Sequence, residues 1–231
     1  MSEAAINSPA LAANLRYYEE HAEDYVQTTA ALDLSVLQTA FVQHLPPGAK
    51  ILDAGCGSGR DSAVFLRREY RVLAIDASPA IVRAAQRLGV SAKVMTFQEM
   101  RFDAEFDGVW ACASLLHVPR SEIDDVLLRF RRALRAGGVL FITLKKGGGE
   151  GVSEDGRFFA YYELEEFSEL ISRVGSWSSH IAKQTIDGKN RPWLNFLVRK
   201  AAPSALPFNP TPLELPATLA TSGQIKPRKA A

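Results

Sequence analysis

Three alternating glycines are the strongest chemical signal in the chain. Gly55, Gly57 and Gly59 lie in the segment LDAGCGSGR, directly after a short apolar run. Glycine permits positive φ and lets a ligand approach the backbone, next to the free N–H groups of a following helix. Asp76 ends the next apolar segment, where a carboxylate can accept hydrogen bonds from both hydroxyls of a ribose. The spacing therefore predicts a nucleotide-type cofactor at this loop.

The residues around the glycines discriminate between cofactors. The dinucleotide fingerprint is G-x-G-x-x-G/A, and its third small position is occupied here by Arg60. Asp53 precedes the first glycine by two residues. A carboxylate there would repel a pyrophosphate but would favour a ligand with an ammonium group, directly or through water. The pattern therefore disfavours an NAD-dependent oxidoreductase.

The elements that must position these residues are strands and helices in alternation. Between residues 50 and 144, short apolar strands alternate with helical patterns, which predicts crossover units and a parallel sheet. Residues 178–186 and 193–199 are predicted as two strands joined by a short connection, so that an antiparallel strand closes the sheet. The first 45 residues are predicted to form two helices, which begin after Ser8 and Asp33.

Composition excludes several classes of protein. Of the 231 residues, 27 are Lys or Arg and 26 are Asp or Glu, so the net charge of +1 gives no general attraction to nucleic acid or to an acidic membrane. The two cysteines, Cys56 and Cys112, are too few for a disulfide framework and lack metal-ligand spacing. Neither a membrane span nor a signal peptide is recognisable, so we expect a cytoplasmic protein without a metal.

Four segments together resemble the class I S-adenosylmethionine-dependent methyltransferases: LDAGCGSGR, AIDAS, FDGVWACASLLHVP and RRALRAGGVLFIT. The resemblance extends from about Tyr17 to Lys200. It implies an α/β fold, a Rossmann-like, doubly wound, mostly parallel seven-stranded sheet with an antiparallel last strand, plus an N-terminal helical lid. GRFFAYYELEEF and YYEEHAEDY are most similar to tellurite-resistance-type and other small-molecule methyltransferases.

The resemblance and the composition together predict three parts of the chain. Residues 1–45 are expected to form the lid, and residues 46–200 the domain that binds S-adenosylmethionine. Residues 201–231 contain six prolines and no apolar periodicity, which predicts a disordered tail.

Cofactor residues follow from the resemblance, position by position. It places Asp53 and the three glycines around the methionine part, Asp76 at the ribose and Ala77 beside the adenine. Thr96, Phe97 and Gln98 would form the adenine wall, although many members have an acid where Thr96 stands. The full set of predicted cofactor-binding residues is Asp53, Gly55, Cys56, Gly57, Gly59, Asp76, Ala77, Phe97, Gln98 and Ala111.

The acceptor side is expected in the lid and in the loops after the fourth and fifth strands. His117 follows the fourth strand and is the candidate general base, with a structural histidine as the alternative. Tyr18 and Tyr25 are candidate substrate residues, or they dock the helix on the sheet. Lys145 and Arg157 suit an anionic acceptor, or they are a solvated lysine and a core-anchoring segment.

The predicted function is methyl transfer from S-adenosylmethionine to a small-molecule acceptor by in-line displacement, in which the protein mainly positions the reactants and excludes water. Two alternatives stay open: an RNA or protein methyltransferase, and a catalytically silent subunit that binds the cofactor. The charge balance favours neither nucleic acid nor a membrane as a partner, and the oligomeric state is left open.

Overall fold

The computed structural model describes residues 8–202 and 212–215. The strands of the described residues, in chain order, are β1 (Lys50–Ala54), β2 (Arg71–Asp76), β3 (Ala92–Val94), β4 (Phe106–Cys112), β5 (Leu134–Lys145), β6 (Glu150–Val152), β7 (Phe158–Ala160), β8 (Trp177–Ile186) and β9 (Pro192–Lys200). The α-helices are α1 (Pro9–Glu20), α2 (Ala22–Ala30), α3 (Ser35–Val42), α4 (Arg60–Arg67), α5 (Pro79–Arg87), α6 (Ile123–Ala133) and α7 (Leu164–Arg173). Two short 3₁₀ helices are Phe97–Glu99 and Leu115–His117.

Seven strands form one sheet in the order β3-β2-β1-β4-β5-β9-β8. The first five strands pair in parallel, and β9 is antiparallel to both β5 and β8. This confirms the predicted doubly wound sheet with its antiparallel closing strand. Strand order reverses between β1 and β4, and the crevice at such a switch point is where α/β proteins bind ligands.

The N-terminal helices differ from the prediction of two helices, because the structure has three in that region. Ser8 caps α1 and Pro9 occupies its first position, as expected. The helix then ends at His21, which leaves the helical region with φ −120°, and α2 begins directly afterwards. The bend lets both short helices follow the surface of the sheet domain.

Strand β5 begins at Leu134, directly after α6, so that Gly137 and Gly138 lie within the strand. The chain after β5 contains one element that the sequence did not predict. The hairpin of β6 and β7 forms a separate two-stranded sheet. It brings Phe158 back toward the end of β4, where it matters for the site.

A buried sheet core fixes the positions of the strand ends. Trp110 of β4 stacks on Phe141 of β5 with ring centroids 4.3 Å apart, and Phe41 of α3 packs against both rings. The indole N–H of Trp110 donates to Asp61, which also accepts hydrogen bonds from Arg60. Burial of these large rings dominates the hydrophobic free energy of this face of the sheet.

The predicted tail lies mostly outside the described residues. The segment Pro212–Leu215 is described, and there Leu213 is 6% exposed and packs in the α3 core cluster. The backbone N–H of Glu214 donates to His44 Nε2 over 3.3 Å. This short segment therefore packs on the domain, which differs from the expected disorder because Leu213 and Leu215 provide apolar contacts.

Candidate functional site

A cleft opens at the carboxyl ends of β1, β2 and β4, beneath α1 and α2. It encloses about 800 Å³ of space, including its open mouth. Gly55 and Gly57 border it from the loop after β1, Asp76 and Ala77 from the end of β2, and His117 from the segment after β4. The site is therefore at the switch point of the sheet.

Bare backbone forms the floor of the cleft. A side chain on Gly55 would place its Cβ 2.4 Å from the Cβ of Ser114, and one on Gly57 would lie 2.8 Å from the Tyr25 hydroxyl. Both glycines have positive φ, of 78° and 53°. The loop after β1 can therefore approach Ser114 and Tyr25 only because it carries no side chains at these positions.

Asp76 ties the glycine loop to the next helix. One carboxylate oxygen accepts the backbone N–H of Gly57 at 3.1 Å, and the other accepts that of Ser78 at 3.0 Å. Burial raises the pKa of Asp76, while these backbone hydrogen bonds oppose the rise. A carboxylate has about four acceptor positions, so the pair of backbone donors leaves capacity for two further donors.

The N-terminal lid, defined here as α1 and α2, forms the roof. Glu19 accepts hydrogen bonds from the Ser78 hydroxyl at 2.7 Å and from the Ala80 backbone N–H at 2.9 Å, at the start of α5. Arg60 donates to the carbonyl of Thr29 near the end of α2, over 3.1 Å. The lid is thus fastened to the domain on both sides of the glycine loop.

A tyrosine–histidine pair lies at one end of the cleft. His117 Nδ1 is 2.8 Å from the carbonyl oxygen of Phe158, and its Nε2 is 2.9 Å from the Tyr18 hydroxyl. A carbonyl can only accept, so Nδ1 carries the proton. Burial lowers the pKa of His117 to about 4, so the ring is neutral at pH 7 and the Tyr18 hydroxyl donates to Nε2. Burial also raises the pKa of Tyr18 to about 12, with Arg157 opposing.

Two cationic side chains and the neutral His117 ring surround the ring of Phe159. Lys145 Nζ lies 3.7 Å from the ring centroid, the Arg157 guanidinium carbon 5.0 Å and the His117 ring centroid 4.9 Å. Arg157 donates from Nε to Asp155 at 3.0 Å. Burial, followed by the charges of Arg157 and Arg191, lowers the pKa of Lys145.

Comparison with known protein families matches residues 51–138 to a family described as Methyltransferase domain. Residues 51–138 are thus similar to a methyltransferase domain, in agreement with the class I resemblance. The cofactor of this class is S-adenosylmethionine, as the resemblance predicted. The matched segment runs from β1 to the glycines of β5 and so contains the glycine loop, Asp76 and His117.

Two curated relatives and one solved structure are similar to the chain. The 2-methyl-6-phytyl-1,4-hydroquinone methyltransferase of Synechocystis sp. is 30% identical over 130 residues, which cover 53% of this chain and 40% of the relative. The malonyl-[acyl-carrier protein] O-methyltransferase of Salmonella typhimurium is 27% identical over 201 residues, 84% of this chain and 72% of the relative. The chain thus spans less than half of the first relative.

The solved structure shares the fold. It is the 1,6-didemethyltoxoflavin-N1-methyltransferase of Burkholderia thailandensis, crystallised with 1,6-didemethyltoxoflavin and S-adenosylhomocysteine. The TM-score is 0.68 at 24% identity, over 87% of this chain and 92% of that chain. The narrower likeness to tellurite-resistance-type enzymes stays a prediction.

The cleft brings most of the predicted site residues together. The predicted residues that line the cleft are Tyr18, Tyr25, Gly55, Gly57, Asp76, Ala77, Thr96, Phe97, Gln98 and His117. The predicted residues that do not line it are Asp53, Cys56, Gly59, Ala111, Lys145 and Arg157.

Four of the residues outside the lining, Asp53, Cys56, Gly59 and Ala111, have structural contacts instead. Asp53 is 2% exposed and accepts a hydrogen bond from Ser62 at 2.6 Å. Burial and the adjacent Asp61 raise the pKa of Asp53 to about 7. Cys56 is buried, Gly59 caps α4 in the left-handed region, and Ala111 is fully buried within β4.

Several lining residues were not predicted. Ala113 and Ser114, just beyond β4, occupy the place expected for Ala111. Leu11 and Leu15 lie four positions apart on α1, and the apolar face that they form lines the cleft. Asn14 lies on the same face, and a polar residue within an apolar stripe was the signal that could have identified it.

The residues present fit S-adenosylmethionine. Asp76 has acceptor capacity for two hydroxyl groups, and Gly55 and Gly57 expose backbone along the floor. Ile81 and Phe97 line the cleft and provide apolar surface against which a purine can pack. No helix in the described residues is long and apolar enough to cross a membrane.

Proposed function

We propose that the chain is an S-adenosylmethionine-dependent methyltransferase that acts on a small-molecule acceptor by in-line displacement. One observation carries the proposal: a single cleft joins the glycine loop and Asp76 to the Tyr18–His117 pair. The similar proteins support it, since they are named as methyltransferases of 2-methyl-6-phytyl-1,4-hydroquinone, malonyl-[acyl-carrier protein] and 1,6-didemethyltoxoflavin. The near-neutral net charge agrees with a small acceptor.

The cofactor would be held by backbone and carboxylate together. Asp76 would accept the ribose hydroxyls with the acceptor positions that Gly57 and Ser78 leave unused. Gly55 and Gly57 let the chain follow the ligand closely, and Phe97 with its neighbours Thr96 and Gln98 forms the adenine side. When bound, the cofactor supplies an electrophilic methyl group on a sulfonium centre.

Tyr18 is the candidate catalytic residue, with His117 as the group that positions it. The Tyr18 hydroxyl donates to His117 Nε2, so its oxygen retains lone pairs for an acceptor O–H or N–H. The acceptor proton moves to the Tyr18 oxygen as the phenolic proton moves to Nε2, which leaves Tyr18 neutral and His117 protonated. The carbonyl of Phe158 holds the histidine in the required tautomer.

Two conservative variants test this function. Tyr18→Phe removes the proton acceptor and His117→Asn removes the base behind it, while Asp76 and the glycine loop are untouched. We expect both variants to bind S-adenosylhomocysteine like the wild type but to lose 10²-fold or more of the methyl-transfer rate, typical of general-base catalysis. Full activity in Tyr18→Phe would refute the role of the tyrosine.

The acceptor class needs a separate experiment. The wild type is incubated with methyl-labelled S-adenosylmethionine and a fractionated lysate, and the label is followed into small molecules, RNA and protein. Label in small molecules supports the proposal, and label in RNA or protein supports a macromolecular methyltransferase instead. Cofactor binding without any labelled product would indicate the silent subunit.

A reducing compartment is the proposed location. Cys56 and Cys112 are both free thiols in the structure, and cytoplasmic proteins keep thiols reduced. Cell fractionation followed by immunoblotting tests whether the protein is cytoplasmic.

A further inference from the structure

Lys145 stands out among the charged side chains near the Tyr18–His117 pair. Its neighbours are paired: Lys146 with Glu163 at 3.4 Å, Arg157 with Asp155, and Arg191 with Asp187. Among the described residues, Lys145 has no carboxylate partner and no hydrogen-bond acceptor, and its ammonium lies over the face of Phe159 in a cation–π interaction. The positive charge at this end of the site is therefore uncompensated.

The position of Lys145 places that charge on the acceptor side. Lys145 ends β5, and β5 pairs in parallel with β4, whose end leads into the cleft through Ala113 and Ser114. The carboxyl ends of adjacent parallel strands meet at the same edge of the sheet. The Phe159 ring that carries the ammonium also packs against His117 at 4.9 Å between centroids.

Lys145 is partly buried, which makes its unpaired positive charge energetically unfavourable. The pKa of Lys145 is lowered by burial first and then by Arg157 and Arg191, with Asp155 and Asp187 opposing. A half-buried ammonium is stabilised when an anion comes within hydrogen-bond distance, and such charge-assisted bonds are stronger than neutral ones. A solvated surface lysine would not show this combination of burial and absent partner.

A second polar group at the same end also lacks a partner. Asn14 is 6% exposed, and its Oδ1 accepts the backbone N–H of Phe158 at 2.9 Å. That bond fixes the orientation of the amide, so the group without a partner is the donor Nδ2. Phe158 joins Asn14 and His117 through its N–H and C=O, which places the amide beside the Tyr18–His117 pair. Both unpartnered groups are donors, which suits an oxygen-rich anion.

We propose that the acceptor carries an anionic oxygen group, a carboxylate or a phosphate, which Lys145 binds while the nucleophilic atom faces Tyr18. The inference rests on the proposed function, because it assigns the substrate class of the same site. Lys145 is then a specificity-determining residue. Asn14 contributes a donor at the same end of the site.

Calorimetric titration of the protein saturated with S-adenosylhomocysteine tests the inference. The probes share a phenyl ring: benzoate and phenyl phosphate are the anions, and benzamide is the neutral comparison. Each probe is also tested as a short aliphatic counterpart. We expect at least one anion to bind at millimolar concentration and roughly 10-fold or more tighter than its neutral match. Comparison of the carboxylate and phosphate probes shows which of the two anionic groups the site binds.

A matched pair of lysine variants provides the control. Lys145→Gln should lower the anion affinity to that of the neutral probe, whereas Lys146→Gln, which removes a lysine already paired with Glu163, should leave it unchanged. Asn14→Asp keeps an acceptor for the Phe158 N–H but removes the donor, and should weaken anion binding further.

The outcomes are distinguishable from failure of the proposed function. Binding of S-adenosylhomocysteine is measured first for every variant, and it reports both the fold and the cofactor site. If the cofactor product binds but no anion does at millimolar concentration, or if Lys145→Gln binds the anions as the wild type does, the inference is overturned. If the cofactor product does not bind the wild type, the proposed function itself fails.

Discussion

Replacing Gly57 by alanine should damage the cleft specifically, and the structure supplies a control. Gly57 has φ +53°, and an added Cβ would lie 2.8 Å from the Tyr25 hydroxyl oxygen. Gly89, after α5, has φ +78° and no atom within 4 Å of an added Cβ. Both substitutions force alanine into the left-handed region, at a cost of about 1–2 kcal/mol. Only Gly57→Ala also meets the lid.

We therefore expect Gly89→Ala to lower the free energy of unfolding by about 1–2 kcal/mol without changing the affinity for S-adenosylhomocysteine. Gly57→Ala should lower the free energy of unfolding by about 1 kcal/mol more than Gly89→Ala does, since an added methyl group in a well-packed region typically costs about 1–3 kcal/mol. It should also weaken S-adenosylhomocysteine binding, because Tyr25 is displaced and a methyl group enters the cleft floor.

Tyr25→Phe separates the contact from the backbone strain. It removes the hydroxyl oxygen, and the next ring atom is 3.4 Å from the added Cβ, which is close to an ordinary contact. Urea unfolding of the two single variants and the double variant gives the interaction free energy between Gly57 and Tyr25. The double variant should recover most of the additional loss in unfolding free energy that Gly57→Ala shows over Gly89→Ala. Equal losses for Gly57→Ala and Gly89→Ala, with no coupling to Tyr25, would refute the closed position of the lid.

Three further predictions follow from single contacts. Protonation of His117 is unfavourable in the fold, since its pKa is about 4 against 6.5 in the unfolded chain, so its contribution to stability should fall by about 3 kcal/mol as pH drops through this window. Asp53, whose pKa is raised to about 7, contributes with the opposite sign over the same range, so the His117 contribution is measured as the difference in unfolding free energy between wild type and His117→Asn in parallel pH series. Truncation after Ala202 should cost about 1.5–3 kcal/mol through Leu213, whereas truncation after Leu215 should not, as thermal unfolding will show. Asp76→Asn should weaken S-adenosylhomocysteine binding nearly as much as Asp76→Ala, roughly 10- to 150-fold by calorimetry. Each carboxylate oxygen of Asp76 already accepts a backbone N–H, and the amide nitrogen of asparagine cannot accept one. A near-normal affinity for Asp76→Asn would contradict this.

The glycine loop and Asp76 were predictable because their constraints are local. Gly55 and Gly57 need positive φ, and Asp76 ends a strand that neighbours β1, so spacing along the chain was enough to bring them together. The parallel strands and the antiparallel closing strand were predictable from alternating periodicities for the same reason.

The contacts of the acceptor side depend on residues far apart in sequence. Asn14 and Phe158 are separated by 144 positions and meet only because the β6–β7 hairpin folds back under α1. The exact end of β4 decided whether Ala111 or Ala113 reaches the cleft, and a shift of two residues is within the uncertainty of strand boundaries read from sequence. No periodicity reports which lysine is left without a carboxylate.

The placement of Tyr18 in the lid ties proton acceptance to closure of the cleft. Its hydroxyl reaches His117 only while α1 lies on the domain, where Glu19, the next residue, is fastened to Ser78 and Ala80. The proton acceptor is therefore assembled only when the roof is in place and water is excluded. In an open cleft, His117 would retain its bond to the backbone but would lose the phenol. Cofactor enclosure and activation of the acceptor are thus two consequences of one helix docking on the sheet.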